Sequence, residues 1–261
     1  MSFSVCILTG GKSSRMGTDK SQLFFKGEKL VTKMIRLSQK VSDDVFIAGA
    51  QSHQKSPCYP DESPDKGPLS GIRTALSQAK YDWVLILACD MLFFNESIVN
   101  WLTNEFNSLS KEKIVFAANE RNHYLIGFYH RSVLVDVKKA LHSDDLSVGQ
   151  LLMDGNFRKL NIPKSLESFI ANINSPKDLD TFGFMKVKII AFGQIEEILG
   201  KKELEWMTES SDLNEFKNEL FEAFPELNTI SFRFALNESL VDNANLSMND
   251  TIALLPPFAG G

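Results

Sequence analysis

Six apolar residues in a row, Trp83-Val84-Leu85-Ile86-Leu87-Ala88, run straight into Cys89-Asp90. A strand buried on one face alternates apolar with polar side chains, so an unbroken run predicts a strand covered by helices on both faces. Around it, short apolar runs alternate with amphipathic segments at residues 4–9, 29–41, 45–50, 68–80 and 83–88. That rhythm predicts βαβ units and a mostly parallel sheet, an α/β unit whose ligands gather at the carboxyl ends of the strands.

The rhythm changes late in the chain. Around Asn174-Ser175-Pro176-Lys177-Asp178-Leu179 a capped helix is expected to begin and run to about Phe184, and Met185-Lys186-Val187-Lys188-Ile189-Ile190-Ala191-Phe192 restarts as a strand. The boundary is therefore placed between residues 1–184 and 185–261. The second stretch reads as a strand, a short helix near 196–199, a strand near 203–206, a helix over 213–224 and strands near 230–236 and 251–255. This is a small α+β sheet with one main helix. Two compact units suit a chain of 261 residues, and the lack of a Gly/Ser-rich stretch at the boundary predicts a short, fairly stiff connection.

Charge separates the two stretches further. Residues 185–261 hold 13 acidic against 6 basic residues, leaving 20 and 22 in the remainder of a chain with net charge -5. The acidic end suggests a basic protein partner and no nucleic acid. Cys6, Cys58 and Cys89 are an odd number without a close pair, which fits neither a disulfide framework nor a cysteine metal site. No run approaches the roughly 18 apolar residues of a membrane span, and Met1-Ser2-Phe3-Ser4 lacks the basic start of an export signal. No membrane association and a cytoplasmic location are expected.

Chemistry concentrates after the first strand, in Leu8-Thr9-Gly10-Gly11-Lys12-Ser13-Ser14-Arg15-Met16-Gly17-Thr18-Asp19-Lys20. Glycines let backbone N–H groups approach phosphate oxygens, while Arg15 and Lys20 can neutralise charge collecting on a leaving pyrophosphate. Phosphoryl or nucleotidyl transfer is implied. A Walker A loop does not fit, because its earlier glycine would fall at Cys6, and Gly10-Gly11-Lys12 lacks the spacing of a dinucleotide fingerprint.

The loop resembles the opening of the molybdenum cofactor guanylyltransferase (MobA) family: Leu-[Ala/Thr]-Gly-Gly, then Arg-Met-Gly, then Asp-Lys. Related cytidylyl and sugar-nucleotide transferases usually carry Ala-Ala-Gly where Gly10-Gly11 stands. Gly67-Pro68-Leu69-Ser70-Gly71 and Asn172-Ile173-Asn174-Ser175-Pro176 are similar to two further segments of that family, so the resemblance covers about residues 1–184. It implies a Rossmann-like nucleotidyltransferase that transfers GMP from GTP to molybdopterin and releases pyrophosphate. It implies catalytic roles for Arg15, Lys20 and Asp90, and nucleotide contacts from Leu8, Thr9, Gly10, Gly11, Lys20, Asp61, Gly67 and Asp90. Mg2+ would be held by Asp90 and Asn174; a hard cation that keeps waters needs only one or two such ligands besides substrate phosphates. Two positions depart from the pattern. The family often has a base-reading asparagine where Ile47-Ala48-Gly49-Ala50-Gln51 has none, which keeps a cytidylyltransferase or another small-acceptor transferase open as an alternative. His123-Tyr124-Leu125 stands where the family tends to have His-Pro, and His123 is given no catalytic role.

The chain's last residues narrow to bare backbone: Leu254-Leu255-Pro256-Pro257-Phe258-Ala259-Gly260-Gly261. Such a tail can thread a tunnel and present its carboxylate, since glycine offers no branching. With residues 185–194, Ile198-Leu199-Gly200 and Phe234-Ala235-Leu236-Asn237, it resembles the small subunit of molybdopterin synthase (MoaD family). That resemblance implies a ubiquitin-like, β-grasp sulfur carrier whose Gly260-Gly261 end becomes a thiocarboxylate. It implies two partners, the molybdopterin synthase large subunit and an ATP-dependent activating enzyme that adenylates the terminal glycine. An inactive transferase scaffold fused to a working carrier is the remaining alternative.

Overall fold

The computed structural model describes residues 2–9, 24–25, 28–49, 53, 55–61, 63, 66–109, 111–170 and 183–257. In chain order its elements are β1 (Ser4–Leu8), β2 (Phe24–Phe25), β3 (Glu28–Lys29), α1 (Leu30–Ser38), β4 (Val45–Ala48), β5 (Cys58–Tyr59), α2 (Pro68–Gln78), β6 (Trp83–Ala88) and α3 (Glu96–Phe106). There follow β7 (Ile114–Ala118), β8 (Asn122–His130), α4 (Leu134–Ala140), β9 (Phe157–Asn161), β10 (Met185–Ala191), α5 (Gln194–Leu199), β11 (Glu203–Thr208), α6 (Leu213–Ala223), β12 (Arg233–Leu236), β13 (Ser239–Val241) and β14 (Thr251–Leu255). They divide into two compact units: Met1–Ser13 with Val31–Asn172, and Ser14–Leu30 with Ile173–Gly261. The boundary read from the sequence at 184/185 therefore differs from this division by two stretches, 14–30 and 173–184, which go with the second unit. The physical reason for the first lies in where the side chains of Phe24 and Phe25 are buried.

In the first unit the sheet order is β5-β4-β1-β6-β8-β7-β9. β1 pairs in parallel with β4 and with β6, β4 with β5, and β7 with β9, while β8 runs antiparallel between β6 and β7. The sheet is mostly parallel, and both of its faces are covered. Val5, Ile7, Leu85 and Leu87 point to one face, where Met34 and Ile35 of α1 and Ile98, Leu102 and Phe106 of α3 meet them. Cys6, Leu8, Val84 and Ile86 point to the other, against Ile72, Ala75 and Leu76 of α2 and Val137 of α4. Successive strand residues face opposite sides, so burying both sides requires the unbroken apolar runs seen in β1 and β6.

The second unit has the order β13-β12-β14-β10-β11-β2-β3. β10 and β14 lie parallel at its centre, flanked by antiparallel β11 and β12. Helix α6 covers the sheet with Leu213, Phe216 and Leu220, all packed with Val187, Ile189, Trp206, Ile252 and Leu254. Its start is fixed by Asp212, whose Oδ1 accepts from the amides of Asn214 at 2.8 Å and Glu215 at 3.1 Å. A left-handed Gly200, φ 69°, ends α5. This mixed sheet with one principal helix is the α+β, ubiquitin-like arrangement expected of residues 185–261.

The expected helix from Asn174 lies outside the described residues. Among the described residues no helix is long and apolar enough to cross a membrane.

Candidate active site at the carboxyl edge of the first sheet

Four strands of the first unit, β5, β4, β1 and β6, end side by side, and backbone hydrogen bonds lace those ends together. The Thr9 amide donates to the Ala48 carbonyl at 2.9 Å, the Gly49 amide to the Tyr59 carbonyl at 2.9 Å and the Cys89 amide to the Leu8 carbonyl at 3.1 Å. The Thr9 hydroxyl adds a second bond to Ala48, at 3.1 Å. In consequence Thr9, the residue that leads into Gly10-Gly11, and Asp90, the residue after Cys89, leave adjacent strands at one edge. Asp90 is half-buried, whereas Cys89 is buried in the core. Leu8 is buried, and only its backbone reaches the edge.

Asp61 stands two residues beyond β5 and is half-buried. Burial raises its carboxyl above the ordinary aspartate range, and the Thr74 hydroxyl, 3.5 Å away, works in the opposite direction. The same carboxylate helps burial hold the Cys6 thiol well above its usual range, so Cys6 behaves as a core side chain and not as a nucleophile. Thr74 lies on α2 beside Arg73, whose Nη1 donates to Ser63 Oγ at 3.0 Å. These three polar residues around Asp61 were not singled out from the sequence; only the helical register of α2 brings 73 and 74 to the loop that carries 61 and 63.

Helix α2 begins at this edge. Gly67 precedes it at φ 62°, a left-handed conformation that glycine adopts without strain, and Pro68 occupies the first turn. Four residues on, a Cβ at Gly71 would stand 3.0 Å from Leu8 Cδ2, so the absence of a side chain lets α2 lie close against the end of β1. The structure therefore brings Leu8, Thr9, Asp61, Gly67 and Asp90 to one edge of one sheet. Gly10, Gly11, Arg15, Lys20 and Asn174 lie outside the described residues, as do Gly260 and Gly261. Among the described residues no group of three or more His, Cys, Asp or Glu is gathered to hold a metal. His123 is bonded to Asn119 Oδ1 at 3.1 Å and is held below the usual histidine range by burial and by Arg121.

A mostly parallel sheet with an aspartate after a central strand and a glycine-led helix beside it, together with the glycines and cations that follow the first strand in the sequence, defines a class: transferases acting on nucleoside triphosphates. The model of the MobA-like NTP transferase domain matches residues 5–154. The chain belongs to that family. A model of the ThiS family matches residues 189–261. The chain is 32% identical over 177 residues to a Flavobacterium johnsoniae protein named "Probable molybdenum cofactor guanylyltransferase", an alignment covering 67% of this chain and 93% of that protein. A solved structure from Aquifex aeolicus VF5 is similar at TM-score 0.56 and 27% identity, covering 66% of this chain and 93% of its own. The fold is also shared with molybdopterin-guanine dinucleotide biosynthesis protein A of Archaeoglobus fulgidus, at TM-score 0.59 and 20% identity over 68% of this chain and 95% of that one.

Proposed function

We propose that the first unit transfers GMP from GTP to molybdopterin in the biosynthesis of the molybdenum cofactor. The observation that carries this reading is the bond from the Cys89 amide to the Leu8 carbonyl at 3.1 Å. It ties the strand end that presents Asp90 to the strand end that leads into Gly10-Gly11, so a carboxylate and a phosphate-binding loop start from one place. The similarity to curated guanylyltransferases supports the choice of base and acceptor.

In this reading a phosphate oxygen of molybdopterin attacks the α-phosphorus of GTP. The bond from that phosphorus to the bridging oxygen of the β-phosphate breaks, and pyrophosphate leaves with the electron pair. Arg15 and Lys20 offset the charge that develops on the leaving group, and the backbone of Gly10 and Gly11 donates to phosphate oxygens, while Thr9, whose amide and hydroxyl both donate to Ala48, serves the nucleotide by anchoring the residues before them. Asp61 and Gly67 contact the guanosine. A half-buried carboxylate at Asp90 suits Mg2+, with Asn174 as its second ligand. When bound, the metal supplies Lewis-acid neutralisation of the phosphate oxygens. No nucleophilic side chain is required, so positioning and electrostatics account for the rate.

The second unit is proposed to carry sulfur. An activating enzyme joins AMP from ATP to the Gly261 carboxylate and releases pyrophosphate. A sulfur donor then displaces AMP to leave a thiocarboxylate, which the molybdopterin synthase large subunit consumes. The match to the ThiS family and the acidic surplus of residues 185–261 support this reading.

Mass spectrometry of products tests the transferase. Wild type and Asp90→Ala are incubated with Mg2+, molybdopterin and either GTP or CTP. A GMP adduct formed by wild type alone is the expected result. A preference for CTP would replace GMP by CMP in the proposal, and no adduct from either nucleotide would leave the carrier as the chain's function.

A further inference from the structure

Strand β11 would be an edge of the sheet if residues 185–255 folded alone. Its outer side is instead occupied by β2, in parallel register with Phe24 opposite Trp206 and Phe25 opposite Met207. β2 then turns back through β3. The ladder is short, yet its side chains go deep. Phe24, 7% exposed, lies flat on the Trp206 indole, the rings 5.2 Å apart and inclined by 6°, and reaches Phe224 at 6.0 Å. Phe25, 6% exposed, meets Phe184 at 4.9 Å. The Lys29 ammonium stands over the Phe24 ring at 5.7 Å.

An ordinary two-residue surface strand leaves one of two adjacent side chains in water, because successive side chains face opposite ways. Here both are covered, Phe24 within the core of the second unit. An open edge offers unpaired N–H and C=O groups to any extended segment, and affinity for a given segment comes from pockets that accept its alternate side chains. Without β2 the β11 edge would offer such groups, and beside it stand the rings of Trp206 and Phe224, which take Phe24, and of Phe184, which takes Phe25. Connectivity makes the occupant consequential: the chain passes between the units at 13/14, at 30/31 and at 172/173, where a simple end-to-end fusion would pass once.

We propose that the β11 edge, with its slots beside Trp206, Phe224 and Phe184, is a docking site for a Phe-Phe strand. Its occupant is this chain's own hairpin of β2 and β3, and that seating keeps the second unit bound to the rest of the protein even when the peptide chain before Gly183 is cut. For the sulfur-carrier reading, on which only this consequence rests, the carrier works while attached and does not leave as a free domain.

A specific protease site inserted between Phe182 and Gly183 of the full chain allows the cut. After cleavage the two fragments are expected to elute together in gel filtration. An excess of a peptide spanning residues 22–31 should then move the smaller fragment to its own later position, as should Phe24→Ala combined with Phe25→Ala. The peptide arm uses the wild-type chain, so misfolding of the double variant does not blunt the test. Wild-type fragments that separate on cutting overturn the proposal. So does co-elution that neither the peptide nor the double variant disturbs, since another contact would then hold the fragments. No sulfur or nucleotide chemistry enters the readout, so failure of the carrier reading leaves the outcome intact.

Discussion

Thr9 donates twice to Ala48, through its amide at 2.9 Å and its hydroxyl at 3.1 Å. Thr9 is the last described residue before Gly10, so this pair of hydrogen bonds fixes the end of β1 that leads to the glycines. Thr9→Val keeps the shape and the amide bond and removes the hydroxyl bond. The expected cost is about 1 kcal/mol, seen as a fall of ~2–4 °C in the melting temperature. Under the proposed function the KM for the nucleotide should rise more than kcat falls, because the change acts where the chain leads into Gly10-Gly11 and leaves Asp90 in place. Steady-state kinetics that show kcat alone reduced would contradict this role.

Asp61 offers a test by pH. Its carboxyl is raised above the ordinary value of 3.8 because burial disfavours the charged form. A raised acid binds its proton more tightly in the folded state than in the unfolded one. Its contribution to stability is therefore fully present below 3.8 and is lost as pH climbs through the raised value. Asp61→Asn should be more stable than wild type above that window and should converge with it in acid. The proposed guanosine contact pulls the other way, since the variant loses a charged acceptor for the ring N–H groups. A tenfold loss of GTP affinity, about 1.4 kcal/mol, is expected by calorimetry. Unchanged affinity would remove Asp61 from the nucleotide site.

The parts of the fold legible in the sequence are those where burial leaves a strong local pattern. The run Trp83–Ala88 is apolar throughout because both of its faces are covered, and its ends coincide with those of β6. Thr251–Leu255 alternates and matches β14, with Ile252 and Leu254 inward. The strand expected from 230 begins at Arg233, because Pro225–Thr229 forms a 3-10 turn just before it. Nothing local reveals the hairpin of β2 and β3. Two residues per strand are too few to show a period, and the partner strand lies far along the chain. Of the two candidate carboxylates, the position of Asp90 at a strand end was legible from the apolar run before it, whereas Asp61 was picked out only through the family resemblance, since β5 is too short to show in the sequence. Thr74 and Arg73 were not, because helix α2 is amphipathic in either case and only tertiary structure decides which polar residues face Asp61.

Gly127 of β8 has no room for a side chain. A Cβ there would stand 2.5 Å from the Val115 carbonyl oxygen and 2.9 Å from Phe116 Cα, both backbone atoms of the paired strand β7. Neither can rotate away, so β7 and β8 must separate locally, next to the register shift between Phe116 and Ala117. Gly127→Ala should destabilise the first unit by about 1–3 kcal/mol, the range for overpacking. Denaturant unfolding followed by circular dichroism measures it. A loss under about 0.5 kcal/mol, the scatter of ordinary surface substitutions, would show that the pair can open without cost.

Glu219 on α6 collects the polar groups at the end of β11. It accepts from the Trp206 indole N–H at 3.0 Å, from the Thr208 hydroxyl, and from Ser210 Oγ at 3.3 Å. Trp206 and Thr208 are fully buried, so in the wild type their donors depend on the half-buried Glu219. Glu219→Ala leaves two buried donors unsatisfied, a penalty of about 1–3 kcal/mol for each group left without a partner. Glu219→Gln should cost less, because its carbonyl oxygen still accepts from the indole and the Thr208 hydroxyl can turn to accept from the new amide. Replacing Trp83 and Trp101 with phenylalanine makes Trp206 the sole tryptophan, so its emission during denaturation reports the second unit directly. The expected order of stability is wild type, then Gln, then Ala. If Ala equals wild type, the carboxylate is solvated at no benefit to the fold, and the end of β11 is held by its ladder and aromatic contacts alone.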